Sequence, residues 1–115
     1  MAADVLFDFD KADLLPKADE TLQKAADFIR DRAKGGAVRI EGHTAKGNDA
    51  YNQKLSERRA ASVKNWFVAH GLNNMKFSTE GFGAKKPVAP NTKPDGSDDP
   101  DGRQKNRRVE LVIRK

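Results

Sequence analysis

Apolar residues recur along the chain at two periods, and the changes of period mark the elements. Val5, Phe7 and Phe9 alternate through the run VLFDF, a period of two that predicts a first strand with these three side chains on one face. The chain turns from Asp10 to Leu15, and Pro16 suits the first turn of a helix, where its missing N–H is not needed. Ala18, Leu22, Ala25, Ala26, Ile29 and Ala33 then form an i, i+3, i+4 stripe, so a first helix is expected from about Pro16 to Lys34, with Phe28 at the stripe's edge. Asp19 and Glu20 favour its positive end and Arg30, Arg32 and Lys34 its negative end, before Gly35-Gly36 stops it. Val38 and Ile40 point inward in an alternating second strand, Ala37 to Gly42. Strand, helix and strand within about forty residues make a βαβ unit with parallel strands and a right-handed connection.

A small polar loop, His43 to Gly47, follows. Asn48 or Asp49 can cap a second helix that runs to about His70 and is closed by Gly71. Phe77, Thr79 and Gly81 alternate weakly in a third strand, Lys76 to Phe82. Gly83 to Lys105 is rich in Pro, Gly, Asp, Asn and Lys and reads as one long loop, a kind that is often functional. Val109, Leu111 and Ile113 alternate in a fourth strand, Arg107 to Lys115. The expected fold is α/β, a two-layer sandwich in the order β-α-β-α-β-β, with two main helices packed on a mixed four-stranded sheet. Residues 1–115 read as a single domain, with no internal repeat or interdomain linker.

Composition narrows the function. A hydrophobic fraction of 37% beside a charged fraction of 34% suits a small soluble globule, and the absence of cysteine excludes disulfides and thiolate metal sites. No run approaches the roughly 20 apolar residues of a membrane span. The opening MAADVLFDFD lacks the basic start and apolar run of a signal peptide, so an exported form would be a mature or excised piece. The net charge of +5 could suit nucleic acid, but the basic residues are spread along the chain and mostly alternate with acids, which favours a mixed solvated surface.

One stripe of the second helix carries the best chemical lead. Tyr51, Leu55, Arg59, Val63 and Phe67 follow at i+4, so Arg59 points inward on a largely apolar face, while Arg58 lies about a hundred degrees round, nearer solvent. An inward guanidinium needs an anion or several acceptors, because an unpaired buried charge is costly. Either it receives a ligand, or it is structural and paired with a carboxylate such as Asp8 or Glu110. Catalysis has little support: there is no G-x-S-x-G turn and no cysteine, and Ser56 reads as a local hydrogen-bonding residue. His43 and His70 stand at opposite ends of the second helix and cannot share a metal there. The acidic loop Asp95 to Gly102 fails the calcium-loop spacing, with Pro100 where the sharp-turn glycine belongs. No cofactor or metal is expected.

Several motifs then fall in order. They are Phe7-Asp8-Phe9-Asp10, Leu14 and Pro16, Ile40-Glu41-Gly42-His43-Thr44, Tyr51-Asn52, Leu55-Ser56 through Arg59-Ala60, Gly81-Phe82-Gly83, Pro87, Asn91, Gly102-Arg103 and Asn106-Arg107-Arg108-Val109-Glu110. Together they resemble the OmpA C-terminal domain family over nearly the whole chain. The resemblance implies a periplasmic, non-catalytic domain that holds peptidoglycan through the diaminopimelate of its stem peptide. Such a domain fastens the outer membrane to the cell wall, and its parent protein's membrane part is absent here. Diaminopimelate ends in an ammonium and a carboxylate on one carbon, so reading it takes a cation and an anion. The family's arginine falls on Arg59, and Thr44, Ala45, Asn52, Leu55, Asn91 and Arg108 match positions that resemble the rest of the lining.

One departure matters. The family usually reads G-H-T-D-x-x-G-x-x-x-Y-N, whereas Gly42-His43-Thr44-Ala45-Lys46-Gly47 reaches Tyr51 one residue short, and the missing residue is the aspartate after Thr44. Asp49 is the nearest substitute, though its place suits a helix cap. Losing one charge-assisted hydrogen bond costs about 1.5–3 kcal/mol, roughly ten- to a hundred-fold in affinity. The expectation is therefore a peptidoglycan binder of weakened affinity, with Arg59→Ala abolishing retention on peptidoglycan at nearly unchanged folding. The rivals are polyanion or nucleic-acid binding through the basic surface, and a protein-interaction or dimerisation tail.

Overall fold

The computed structural model describes residues 1–33 and 36–114. Its elements are α1 (Ala3–Leu6), α2 (Ala18–Ala33), β1 (Ala37–His43), α3 (Asp49–Ala69), β2 (Lys76–Gly81), α4 (Pro100–Asn106) and β3 (Arg108–Arg114). Among the described residues the sheet has three strands in the order β2-β1-β3. β1 lies parallel to β2, from Ala37 opposite Lys76 to Gly42 opposite Gly81, and antiparallel to β3, from Ala37 opposite Arg114 to His43 opposite Arg108. The fold is thus α/β with a mixed sheet, but the four-stranded version needs correction.

The expected first strand is not one. Ala3 to Leu6 coil into a single helical turn, and beyond it only an isolated bridge joins Phe7 to Leu14. Leu6 and Phe7, adjacent in sequence, are both buried, which a strand with one inward face cannot achieve; Phe9, expected inside, is 87% exposed. The parallel βαβ unit is instead β1-α3-β2, one step later in the chain. The long loop also needs correction, because its end winds into α4. Asp99 caps that helix by accepting from the Gly102 N–H at 3.0 Å, and Pro100 occupies the first turn.

The rest follows the sequence pattern. In α2, Leu22, Ala26, Ile29 and Ala33 are buried, and the expected stop reaches Gly36, whose N–H donates to Ala33 at 2.7 Å; Lys34 and Gly35, like Lys115 at the other end, lie outside the described residues. α3 starts at its Asn48 cap, whose side chain accepts from the Tyr51 N–H at 2.9 Å, and ends before Gly71, which has φ 95°. Leu55, Arg59, Val63 and Phe67 of the α3 stripe are buried, whereas Tyr51 is 42% exposed. The core joins Val38, Ile40 and Val109 of the sheet to α2 and α3, and Phe77 stacks on Phe67 at 5.8 Å. Gly42 lets α3 approach the sheet: a Cβ there would lie 2.2 Å from the Ser56 carbonyl oxygen. That approach sets the loop between β1 and α3 directly over the N-terminal turns of α3.

Candidate functional site

Arg59 organises the site. It is 6% exposed, and burial pushes its pKa below the ordinary value; the charges of Asp4, Asp10 and Tyr51 act against that shift. No carboxylate among the described residues forms a salt bridge or hydrogen bond with it. Nε donates to the Lys11 carbonyl at 2.8 Å, Nη2 donates to the Asp8 carbonyl at 3.2 Å, and the guanidinium lies 5.0 Å from the Phe7 ring centre. The structural pairing with Asp8 or Glu110 is therefore replaced by backbone acceptors, and Nη1 has no hydrogen-bond partner among the described residues. These bonds fasten a strap, residues 8–11, across the N-terminal half of α3. Asp10 on that strap has φ 60°, the left-handed region that a side chain rarely occupies.

Between strap and loop lies a recess of about 250 Å³. Thr44, Ala45, Asn52, Leu55 and Arg59 all line it. The Thr44 N–H donates to the Gly83 carbonyl at 2.8 Å and the Asn52 side chain donates to the Ala45 carbonyl at 3.2 Å, which fixes the loop. The Thr44 hydroxyl is buried without a hydrogen-bond partner. A buried hydroxyl left unpaired costs free energy. Ser56 is fully engaged in structure, donating to the Gln53 carbonyl at 2.9 Å and accepting from the Gly83 N–H at 3.0 Å.

Asn91 and Arg108 do not reach this recess. Asn91 accepts from the Asn106 side chain at 2.8 Å, and the same Asn106 holds the Val88 and Ala89 amides, so the pair shapes the loop before α4. Arg108 pairs with Glu110 and donates to the Lys86 carbonyl at 2.9 Å. Eight lining residues were not among those expected: Lys46, Gly47, Asn48 and Tyr51, from the same loop and first turn of α3, and Phe9, Asp10, Arg103 and Arg107, from elsewhere in the chain. The signals were present, since Asp10 belongs to the FDFD run and Arg103 and Arg107 stand one helical turn apart. Four cations, Lys46, Arg59, Arg103 and Arg107, thus surround the recess against one carboxylate, Asp10. Asp49 does not line it.

A mixed α/β module with a small recess lined largely by cations is the class these features define. The chain belongs to the OmpA family, whose model matches residues 6–100. It is 50% identical over 111 residues to a segment of the photosystem I P700 chlorophyll a apoprotein A2 of Gloeobacter violaceus, covering 96% of this chain and 13% of that protein. It is 40% identical over 111 residues to outer membrane protein A of Bordetella avium, covering 96% of this chain and 54% of that one. Among solved structures, the cell wall anchor of the type VI secretion system from Pseudomonas aeruginosa superposes with a TM-score of 0.80 at 30% identity, covering 98% of this chain and 77% of that one. The chain spans about half or less of the length of these two relatives. No helix among the described residues is long and apolar enough to cross a membrane.

Proposed function

We propose that this domain binds peptidoglycan without catalysis, taking the free end of a stem-peptide diaminopimelate into the recess beneath Thr44. The observation that carries the reading is that one recess is lined both by the buried guanidinium with Nη1 unused and by Thr44, whose buried hydroxyl has no partner among the described residues. The ligand carboxylate meets Arg59, the Thr44 hydroxyl donates or accepts beside it, and Leu55 packs on the aliphatic stem. Asn52 and the Ala45 backbone keep the loop in place, while Asn91 and Arg108 support the neighbouring loops. Asp10, the carboxylate of the lining, takes the ammonium. It is exposed, so the pair contributes less than a buried one, and affinity is weaker than with an aspartate after Thr44. The cell-wall-anchor neighbour and the outer-membrane relative support the setting: a periplasmic module that holds a membrane-anchored parent to the wall.

Sedimentation with purified sacculi tests this. The chain should co-sediment, be released by free diaminopimelate stem peptide, and lose little binding between 50 and 200 mM salt (about the range over which phosphate-polymer binders lose several decades). Steep salt dependence without peptide competition would establish the polyanion reading instead.

A further inference from the structure

We propose that the outer edge of β2 pairs antiparallel with the same edge of a second copy of this chain, joining two sheets into one across a two-fold axis at Ser78. The pairing is independent of what the recess binds. β2 stands at one end of the strand order β2-β1-β3, so among the described residues it has a neighbour on one side only. The Lys76 N–H donates to the Gly36 carbonyl at 3.2 Å and the Phe82 N–H to the Gly42 carbonyl at 2.9 Å. Lys76, Ser78 and Glu80 therefore turn their backbone toward β1, and Phe77, Thr79 and Gly81 turn theirs outward. The Gly81 carbonyl is taken by the Gln53 side chain, which leaves the backbone groups of Phe77 and Thr79 as the open part of the edge. Thr79 shares the helix-facing side of β2 with Phe77 yet is exposed, so the edge is uncovered there. An uncovered edge is a template for another strand.

This edge is complementary to itself. A pair centred on Ser78 sets Phe77 opposite Thr79 of the second copy, outward backbone against outward backbone, so both residues exchange their N–H···O bonds. The same register sets Lys76 opposite Glu80 of the second copy at each end, in the positions where facing side chains come closest. Both side chains are exposed. Lys76 forms no ion pair among the described residues, and Glu80 meets only Arg39, at 3.9 Å, which Glu41 already holds at 2.7 Å. A lysine on an edge strand discourages indiscriminate pairing; opposite a glutamate it selects the partner and the register. Centring on Thr79 would call on the Gly81 carbonyl, which Gln53 holds, and centring on Phe77 would set Glu80 opposite Asn74. So short a strand buries less than the roughly 1,200 Å² of a stable interface, and the dimer is weak and concentration-dependent.

Analytical ultracentrifugation of the native chain from about 10 μM to about 1 mM tests this. The mean mass should rise with concentration toward twice that of the monomer. Lys76→Glu sets like charges opposite each other, and so does Glu80→Lys, so each variant alone should dimerise about ten-fold or more weakly. Their equimolar mixture restores opposite charges at both ends and should dimerise as the native chain does. Both positions are exposed, and circular dichroism confirms that the variants fold. A native chain that stays monomeric at about 1 mM overturns the proposal. So does a dimer that persists in each variant alone, or a mixture that associates no better than its parts, because the contact then lies elsewhere.

Discussion

Replacing Arg59 by alanine should unfold the strap as well as empty the recess. The side chain supplies two charge-assisted hydrogen bonds, to the Lys11 and Asp8 carbonyls, and a cation–π contact with Phe7. Bonds of this kind contribute about 1.5–3 kcal/mol each and the ring contact about 0.5–2 kcal/mol. Against them stands the desolvation of the guanidinium, several kcal/mol, which the substitution removes. Asp8 and Lys11 are exposed, so water can satisfy their released carbonyls in the variant. A net loss of about 2–3 kcal/mol remains. The sequence alone supports nearly unchanged folding; the position of the guanidinium beneath the strap reverses that expectation. Urea unfolding followed by circular dichroism reads the loss as a midpoint lowered by about 1.5–2.3 M, for an m-value near 1.3 kcal/mol/M. Peptide binding, measured where the variant is folded, should vanish. Arg59→Lys separates the effects: a compact ammonium keeps the charge but cannot span both carbonyls, so it should recover stability only in part. A loss below about 1 kcal/mol for Arg59→Ala would show that the strap does not depend on this side chain.

Inserting an aspartate between Thr44 and Ala45 should tighten binding of the diaminopimelate peptide about ten- to a hundred-fold in calorimetry; unchanged affinity would mean that the shortened loop is not what weakens the site. Gly42→Ala should destabilise by about 1–3 kcal/mol or more, because its Cβ would meet the Ser56 carbonyl at 2.2 Å, and thermal unfolding at or above the native midpoint would contradict that packing. Stability should also fall as pH drops below about 6.5, the ordinary histidine value. His43 is buried between Glu41 at 3.5 Å and Glu110 at 3.8 Å, with neither ring nitrogen hydrogen-bonded. Burial lowers its pKa, helped by Arg108, and outweighs the two carboxylates. The unfolded chain therefore takes up the proton first, and stability is lost as pH falls through that window. His43→Gln should flatten the slope in urea titrations at each pH; an unchanged slope would place the titration elsewhere.

The elements with long or sheet-paired patterns were legible in the sequence. The α3 stripe spans 21 residues, enough for its period to place Arg59 inward and Arg58 outward, and alternation in β1 and β3 marked Val38, Ile40 and Val109 as core. The run from Val5 to Phe9 is too short for period two to exclude a helical turn. Within that run the Asp8 carbonyl, which a strand ladder would need, is taken by Arg59, some fifty positions away. α4 has no apolar stripe and contains Gly102, buried where a Cβ would strike the Pro90 carbonyl at 1.8 Å, so only its cap, Asp99 before Pro100, announced it. With α4 unseen, Arg103 and Arg107 could not be assigned to the recess. Thr44, Ala45, Asn52, Leu55 and Arg59 were legible because they all lie in one short stretch, the loop and first turns of α3; Asp10 and Phe9 come from the distant strap.

The recess should read a carboxylate at the far end of the stem-peptide side chain. The most direct measurement is a nuclear magnetic resonance titration with paired stem peptides, identical except that lysine, which lacks that carboxylate, replaces diaminopimelate in one. The diaminopimelate peptide should shift the Thr44, Asn52 and Arg59 signals in a saturable way and the lysine peptide should leave them unmoved. Equal shifts from both peptides, or shifts confined to residues outside the recess, would contradict it.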